Sequence, residues 1–373
     1  MIREVIKESS ISDFERALKK VASDKAVKSI LVLSCEANKY QAKDLDILLQ
    51  SIKKPIFGGV FPQIISDNEK MLKGGLILGF VQEAKLITVN VPELSPQREE
   101  QLLQYSQDVI SAKTMFVFVD GFAEKIGAFI DDVFNIFGLE KNYIGGGAGS
   151  LEAMHSVPCL MSNQGLLQNK AMIIAFEMNS GLGVKHGWES ISDPIHITES
   201  QANVIKTIDW EPAFEVYKKI VEKHSGQIFK EDNFFDIAKA YPFGMKKLNN
   251  EMVVRDPLMI INKNEIVCVG EVPENSIVNI LNGNKESLIA AATEASKQAY
   301  DNYPQKEENK SLFVIDCISR VLFLDDQFQE ELSAVYDHKY PLFGVLSIGE
   351  IANTGRSFLE FYNKTMVAAF IES

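Results

Sequence analysis

The chain has 373 residues, 46% hydrophobic and 24% charged, the proportions of a globular protein large enough to fold without disulfide or metal staples. Its net charge of −13, with acids spread along the chain, disfavours nucleic acid and anionic membrane as partners, since both want clustered Lys and Arg. Four scattered cysteines without a CxxC pair read as reduced thiols of a cytoplasmic protein, and no stretch approaches the ~18 apolar residues of a membrane helix.

The opening segment "MIREVIKESSISDFERALKK" is charged and amphipathic, without the apolar core of a signal peptide. A strand-like run, "ILVLSC" (30–35), leads into a helix in "QAKDLDILLQSIK", with Leu45, Leu48, Leu49 and Ile52 on one face. "PIFGG", a polar turn and a second apolar strand, "GGLILGF" (74–80), follow. The same order recurs as "MFVFVDG" (115–121), "AEKIGAFIDDVFNIFG", "YIGGGAG" and "AMIIAF" (171–176). It recurs again as "LFVIDC" (312–317), the helix "DDQFQEELSAVY", "PLFGVLSIGE" and "TMVAAF" (365–370), with Phe328, Leu332 and Val335 as the helix stripe. The closing strands end in Phe80, Phe176 and Phe370. Repeats 30–80, 115–176 and 312–370 are therefore expected to share one strand–helix–strand–hairpin–strand design with the same strand order. Their short, continuous apolar runs predict strands covered on both faces, with helices outside.

Two stretches interrupt the repeats. Residues 184–224 read as strand, turn, short strand and a helix with Phe214, Tyr217, Ile220 and Val221 inward; Trp210 reads as a staple at its start. Residues 252–281 read as a β-meander with "NKNE" as a hairpin turn, and a polar linker, 301–310, precedes the third repeat. The expected fold is α/β: mixed sheets flanked by helices, in two tandem domains at 1–205 and 206–373.

The phrases "IGGGAGS", "VKHGWESISDPIHIT" and "NVIKTIDWEPAFEVYKK", followed by "YPFG…VVRDPLMI", "GEVPENSIVNIL", "CISR", "GEIA" and "FYNKTMVAAF", resemble in order and spacing the tandem N- and C-domains of the FIST family, over roughly residues 27 to 370. The resemblance implies a bacterial sensory protein that binds a small ligand, with amino acids as the proposed class. It also implies an alternative, a haem-carrying nitric-oxide sensor. Family members sit beside histidine-kinase, cyclic-dinucleotide or chemotaxis modules. No such module follows Ser373, so the expected partner is a separate histidine kinase, cyclic-dinucleotide enzyme or chemoreceptor, with a homodimer as an open option.

Strand ends in α/β folds gather loops and ligands, and glycines there let backbone approach a ligand. Cys317 and Arg320 follow the first strand of the third repeat, Gly349 and Glu350 follow its second, and Asn363 lies in its closing hairpin. These residues are expected to converge on one pocket, with Arg320 within reach of Glu350 or of a ligand held between them. Arginine and glutamate together suit a zwitterion such as an amino acid. A structural Arg320–Glu350 ion pair is the competing reading, and Arg255 of the C-domain pattern is read as a further ligand residue or as a local pair with Asp256. Gly145, Gly146 and Gly147, with Trp188, form a second candidate site: an anion-binding nest or a tight crossing of strands. Cys317 has no histidine nearby, no set of metal ligands is visible, and no catalytic residue or cofactor is assigned; an enzyme of unknown reaction ranks third. For the haem alternative, His155, His186 and His196 are the candidate axial ligands.

Overall fold

Three six-stranded sheets carry the three repeats, and all three have the same strand order. The computed structural model describes residues 1–247, 252–304, 309–353 and 358–373. In the first sheet the first four strands are Ile2–Ile6, Gly75–Phe80, Ser29–Cys35 and Ile56–Phe61. In the second they are Lys85–Asn90, Lys170–Phe176, Thr114–Asp120 and Asn142–Ala148. In the third they are Ser180–Lys185, Met366–Glu372, Lys310–Cys317 and Leu342–Ser347. Only the third and fourth strands of each set run parallel.

The last two places of each sheet belong to another unit. The hairpin Leu160–Ser162/Gly165–Leu167 of the second unit completes the first sheet, by antiparallel pairing with Ile56–Phe61. The hairpin Glu350–Asn353/Leu359–Tyr362 of the third unit completes the second. The hairpin Gln63–Ser66/Glu69–Met71 of the first completes the third. The exchange runs in a closed circle, so no unit owns a whole sheet.

Each unit also begins earlier than its apolar strands suggest, with an edge strand and a further helix: Ile11–Ser23, Ser95–Leu103 and Lys285–Asn302. In the third unit an antiparallel barrel is inserted between these two elements. Its closed ring runs Ile277–Asn282, Ile195–Gln201, Val204–Ile208, Glu265–Val269, Met252–Ile261, Phe243–Lys246 and back to the first. The turn between its two longest neighbours has Asn262 and Lys263 both at positive φ, as a tight hairpin turn requires. The boundary expected at 205/206 lies within the strand Val204–Ile208. The middle of the expected linker, residues 305–308, lies outside the described residues.

The three sheets turn one face each to a common core and the other to private helices. Leu31, Phe116, Phe313 and their neighbours fill the shared centre, while separate clusters lie under each unit's helices. At the centre the rings of Phe57, Phe80, Phe116 and Phe176 all touch one another, with centroids 5.4 to 6.2 Å apart. Phe370 does not belong with Phe80 and Phe176. Ladder pairing aligns Ile371 with them, and Phe370, one residue out of step, packs outward on Tyr300 and Tyr340. A shift of one residue moves a side chain to the other face.

The repeated glycine of the "Phe-Gly" or "Ile-Gly" joints has one cause. A Cβ on Gly58, Gly145 or Gly344 would lie 2.0, 1.7 or 2.1 Å from the carbonyl oxygen of Val32, Val117 or Val314 on the adjacent parallel strand. Among the described residues no helix is long and apolar enough to cross a membrane.

Candidate functional site

Residues of the barrel insert meet the second and third units at the carboxyl ends of the strands Thr114–Asp120 and Lys310–Cys317. A cavity of about 350 Å³ lies there. Phe122 of the second unit, Phe235, Leu258 and Val269 of the barrel insert, and Ile318, Leu322 and Ile348 of the third unit give it an apolar wall. Cys317, Ser319, Gly349 and Asn363 supply its polar edges. Cys317, Gly349 and Asn363 thus meet as the sequence leads one to expect.

Asn363 is 1% exposed, yet neither atom of its side-chain amide has a hydrogen-bond partner among the described residues. The cause is local. Asn363 follows the hairpin strand Leu359–Tyr362; the next residue, Lys364, is left-handed at φ 52°, and Thr365 N–H donates to Glu350 Oε2 at 3.1 Å. Thr365 Oγ1 donates to the Asn363 carbonyl at 2.8 Å. The turn is pinned on both sides, and Asn363 stands in the chamber wall with its amide buried and unpaired. An unpaired buried amide costs about 1–3 kcal/mol, which a ligand making those bonds would recover.

Glu350 is fully buried, but it is not the ligand-facing acid that its glycine turn suggests. Gly349 takes φ 81°, the left-handed conformation, and packs against the Phe361 ring; the carboxyl then turns inward. It accepts from Ser347 Oγ at 3.3 Å and from Thr365 N–H, and lies beside the Cys317 thiol. Burial pushes the carboxyl well above its usual range, against the opposing pull of these hydrogen bonds and of Arg320. Burial likewise pushes the Cys317 thiol well up, reinforced by Glu350, so the thiol is not an activated nucleophile.

Arg320 forms neither the expected pair with Glu350 nor a wall of the chamber. Its Nε lies 3.0 Å from Asp316 and its Nη2 2.6 Å from Glu331, with further bonds to the carbonyls of His186 and Leu288. It ties the third unit's first strand to its helices, because Asp316 lies one turn before it and Glu331 stands on the facing helix. The expected Arg255–Asp256 pair is absent as well. Asp256 pairs with Lys364 Nζ at 3.1 Å, and that ammonium also bonds the Lys239 carbonyl and sits 5.1 Å over the Trp188 ring. Neighbours on a strand point to opposite faces, which separates Arg255 from Asp256. Lys364 and Ser319 escaped the sequence reading, and Asp256 entered it only as a partner for Arg255; the buried Lys364–Asp256 pair joins distant segments, and no local pattern encodes it.

The second candidate site is a packing feature. Gly145, Gly146 and Gly147 lie in a strand between its parallel neighbour and the third unit's hairpin, and Gly147 exchanges backbone bonds with Ile348 and Gly349 at 2.9 Å. Cβ atoms there would run into Val117, Gly349 and Ile348 carbonyl oxygens. Trp188 is buried and donates Nε1–H to the Lys364 carbonyl at 3.1 Å, supporting the chamber from behind. Trp210, by contrast, is 80% exposed at φ 63° and staples nothing.

The histidines do not fit a haem. His155 is exposed and bonded to the Ala153 carbonyl. His186 Nδ1 accepts from Trp188 N–H, and burial, with Arg320 and Lys185, pushes the ring down to about 4. His196 lies edge-on to Trp210 on the barrel surface. None of the three lines the chamber. Among the described residues no group of three His, Cys, Asp or Glu side chains is placed to hold a metal ion.

No curated protein matches the chain. Two family models do: the FIST N domain over residues 30–211 and the FIST C domain over 213–353. The chain belongs to the FIST family, with its N and C domains in tandem, a family associated with sensory signal transduction.

Proposed function

We propose that this protein is a sensor that binds a small ligand in the chamber beside the barrel insert and passes the signal to a separate output protein. One observation carries the reading: the unpaired, buried amide of Asn363 in the wall of a largely apolar cavity. A polar group that is costly to bury alone, set in a shaped apolar pocket, is the usual form of a small-molecule site. The ligand class we propose is an amino acid or related small carboxylate whose polar head bonds the Asn363 amide and whose apolar part fills the wall of Phe122, Leu258 and Ile348. The output partner we propose is a histidine kinase, a cyclic-dinucleotide enzyme or a chemoreceptor acting in trans. The chamber draws walls from two units and the barrel, so a bound ligand would bias their relative seating.

A thermal-shift screen of amino acids, organic acids and haemin tests this. A specific ligand at a hundred times its Kd should stabilise the protein by about 2.7 kcal/mol. At the same ligand concentration the stabilisation should be smaller in Asn363→Leu, by about 1 kcal/mol or more. Stabilisation by haemin with a Soret band, and none by the small acids, would replace this reading with the haem one.

A further inference from the structure

A second cavity of about 570 Å³ adjoins the chamber and shares Phe122, Leu258, Val269 and Ile348 with it. Arg255 stands in its wall, 6% exposed. We propose that Arg255 is an oxyanion-binding residue and that its guanidinium takes the carboxylate of a ligand in this double cavity. The proposal rests on the ligand-binding reading of the cleft and adds to it the residue that selects for negative charge.

Arg255 Nε donates to the Glu271 carbonyl at 2.9 Å, and Nη1 donates to the carbonyls of Val254 at 3.0 Å and Phe361 at 2.9 Å. These bonds fix the plane of the group without neutralising it. Nη2 has no hydrogen-bond partner, and no carboxylate lies within ion-pair distance, among the described residues. Four acids line the cavity, Glu124, Asp131, Glu271 and Glu360, and among the described residues Glu124 and Asp131 form no ion pair with Arg255 or any other cation. Asp256 is held by Lys364, and Glu360 by Lys247 at 3.0 Å. The Glu271 carboxylate lies against the first turn of the helix Ile126–Phe137, where a Cβ on Gly127 would come within 2.9 Å of its Oε2. That position suits it, since a helix N-terminus favours negative charge.

A buried guanidinium stays charged, and one without a carboxylate is incomplete. With Nε and Nη1 committed to carbonyls, Nη2 offers its N–H groups end-on to one oxygen of an incoming anion. Gly270 packs closely on the inner part of the group: a Cβ there would sit 3.2 Å from Arg255 Nε.

The test is a titration of the full chain, labelled with nitrogen-15 at arginine, with acetate and with its neutral isostere acetamide. Acetate should produce a saturable change in one arginine side-chain signal, and acetamide none. In Arg255→Lys, which keeps the charge but not the fork, acetate binding should weaken about tenfold or more. No saturable change in the wild type, an equal response to acetamide, or undiminished binding in Arg255→Lys would each overturn the proposal. If acetate leaves Arg255 untouched while a neutral ligand still stabilises wild type more than Asn363→Leu, this inference falls and the chamber reading stands.

Discussion

At the residue scale, buried charge in the third unit divides into groups that hold the fold and groups that face the cleft. Arg320, Asp316 and Glu331 belong to the first kind. Glu331→Ala should lower stability by about 3–5 kcal/mol in chemical denaturation, since it takes one of two carboxylates from a buried guanidinium, while ligand affinity per folded molecule is kept. Equal losses in both would place the triad in the binding site. Glu350 gives the opposite expectation. Its folded-state affinity for a proton is raised, so its contribution to stability is present below its unfolded pKa, near 4.5, and is lost as pH rises above that. Glu350→Gln removes this penalty. Its melting temperature should match or exceed wild type at pH 7, by a margin that grows as the pH rises above 4.5. A marked fall at pH 7 would show that the ionised carboxylate is what the fold uses. The sequence located Cys317, Gly349 and Asn363 together because strand ends and glycine turns follow from local pattern. It could not show which way Glu350 faces, because that depends on the φ of one glycine and on the Phe361 ring beside it.

At the element scale, the joint glycines and the exchanged hairpins set the repeat. The strand–helix–strand order of all three units was legible from apolar runs and from the recurring glycine. The destination of each hairpin was not, because a hairpin's own sequence does not state which sheet edge it will complete. The edge strands Ile2–Ile6, Lys85–Asn90 and Ser180–Lys185 were missed for a related reason. The first two carry the mixed polarity of strands covered on one side only, and the third is separated from the rest of its unit by the inserted barrel. Gly58→Ala, Gly145→Ala and Gly344→Ala should each destabilise by about 1–3 kcal/mol or more, since the new methyl meets backbone rather than a movable side chain. Gly138→Ala is the control for crowding, as nothing lies within 4 Å of its Cβ position; only the strain of its φ of 78° would register. If Gly145→Ala cost no more than Gly138→Ala, the close strand approach would be wrong.

At the scale of the whole molecule, the two family domains share sheets. The matched C-domain region, 213–353, takes in the strands Lys310–Cys317 and Leu342–Ser347, but their sheet needs Ser180–Lys185, Met366–Glu372 and the first unit's hairpin Gln63–Ser66/Glu69–Met71. Its own hairpin is an edge of the second unit's sheet. A fragment beginning at residue 213 should therefore lack a cooperative thermal transition, whereas the full chain should unfold in one. An isolated 213–373 segment that melts cooperatively would contradict the circular exchange. The same interlocking places the chamber where two units and the barrel meet.

The most direct test of this account is isothermal titration of the stabilising ligand from the screen against wild type and Asn363→Leu, with both proteins checked for an unchanged fold by their melts. Loss of the Asn363 amide leaves the ligand's polar head buried without partners, so affinity should fall by about 1–3 kcal/mol, roughly five- to a hundredfold or more. Equal affinity for the two proteins would place the ligand elsewhere and leave the chamber without the role assigned to it.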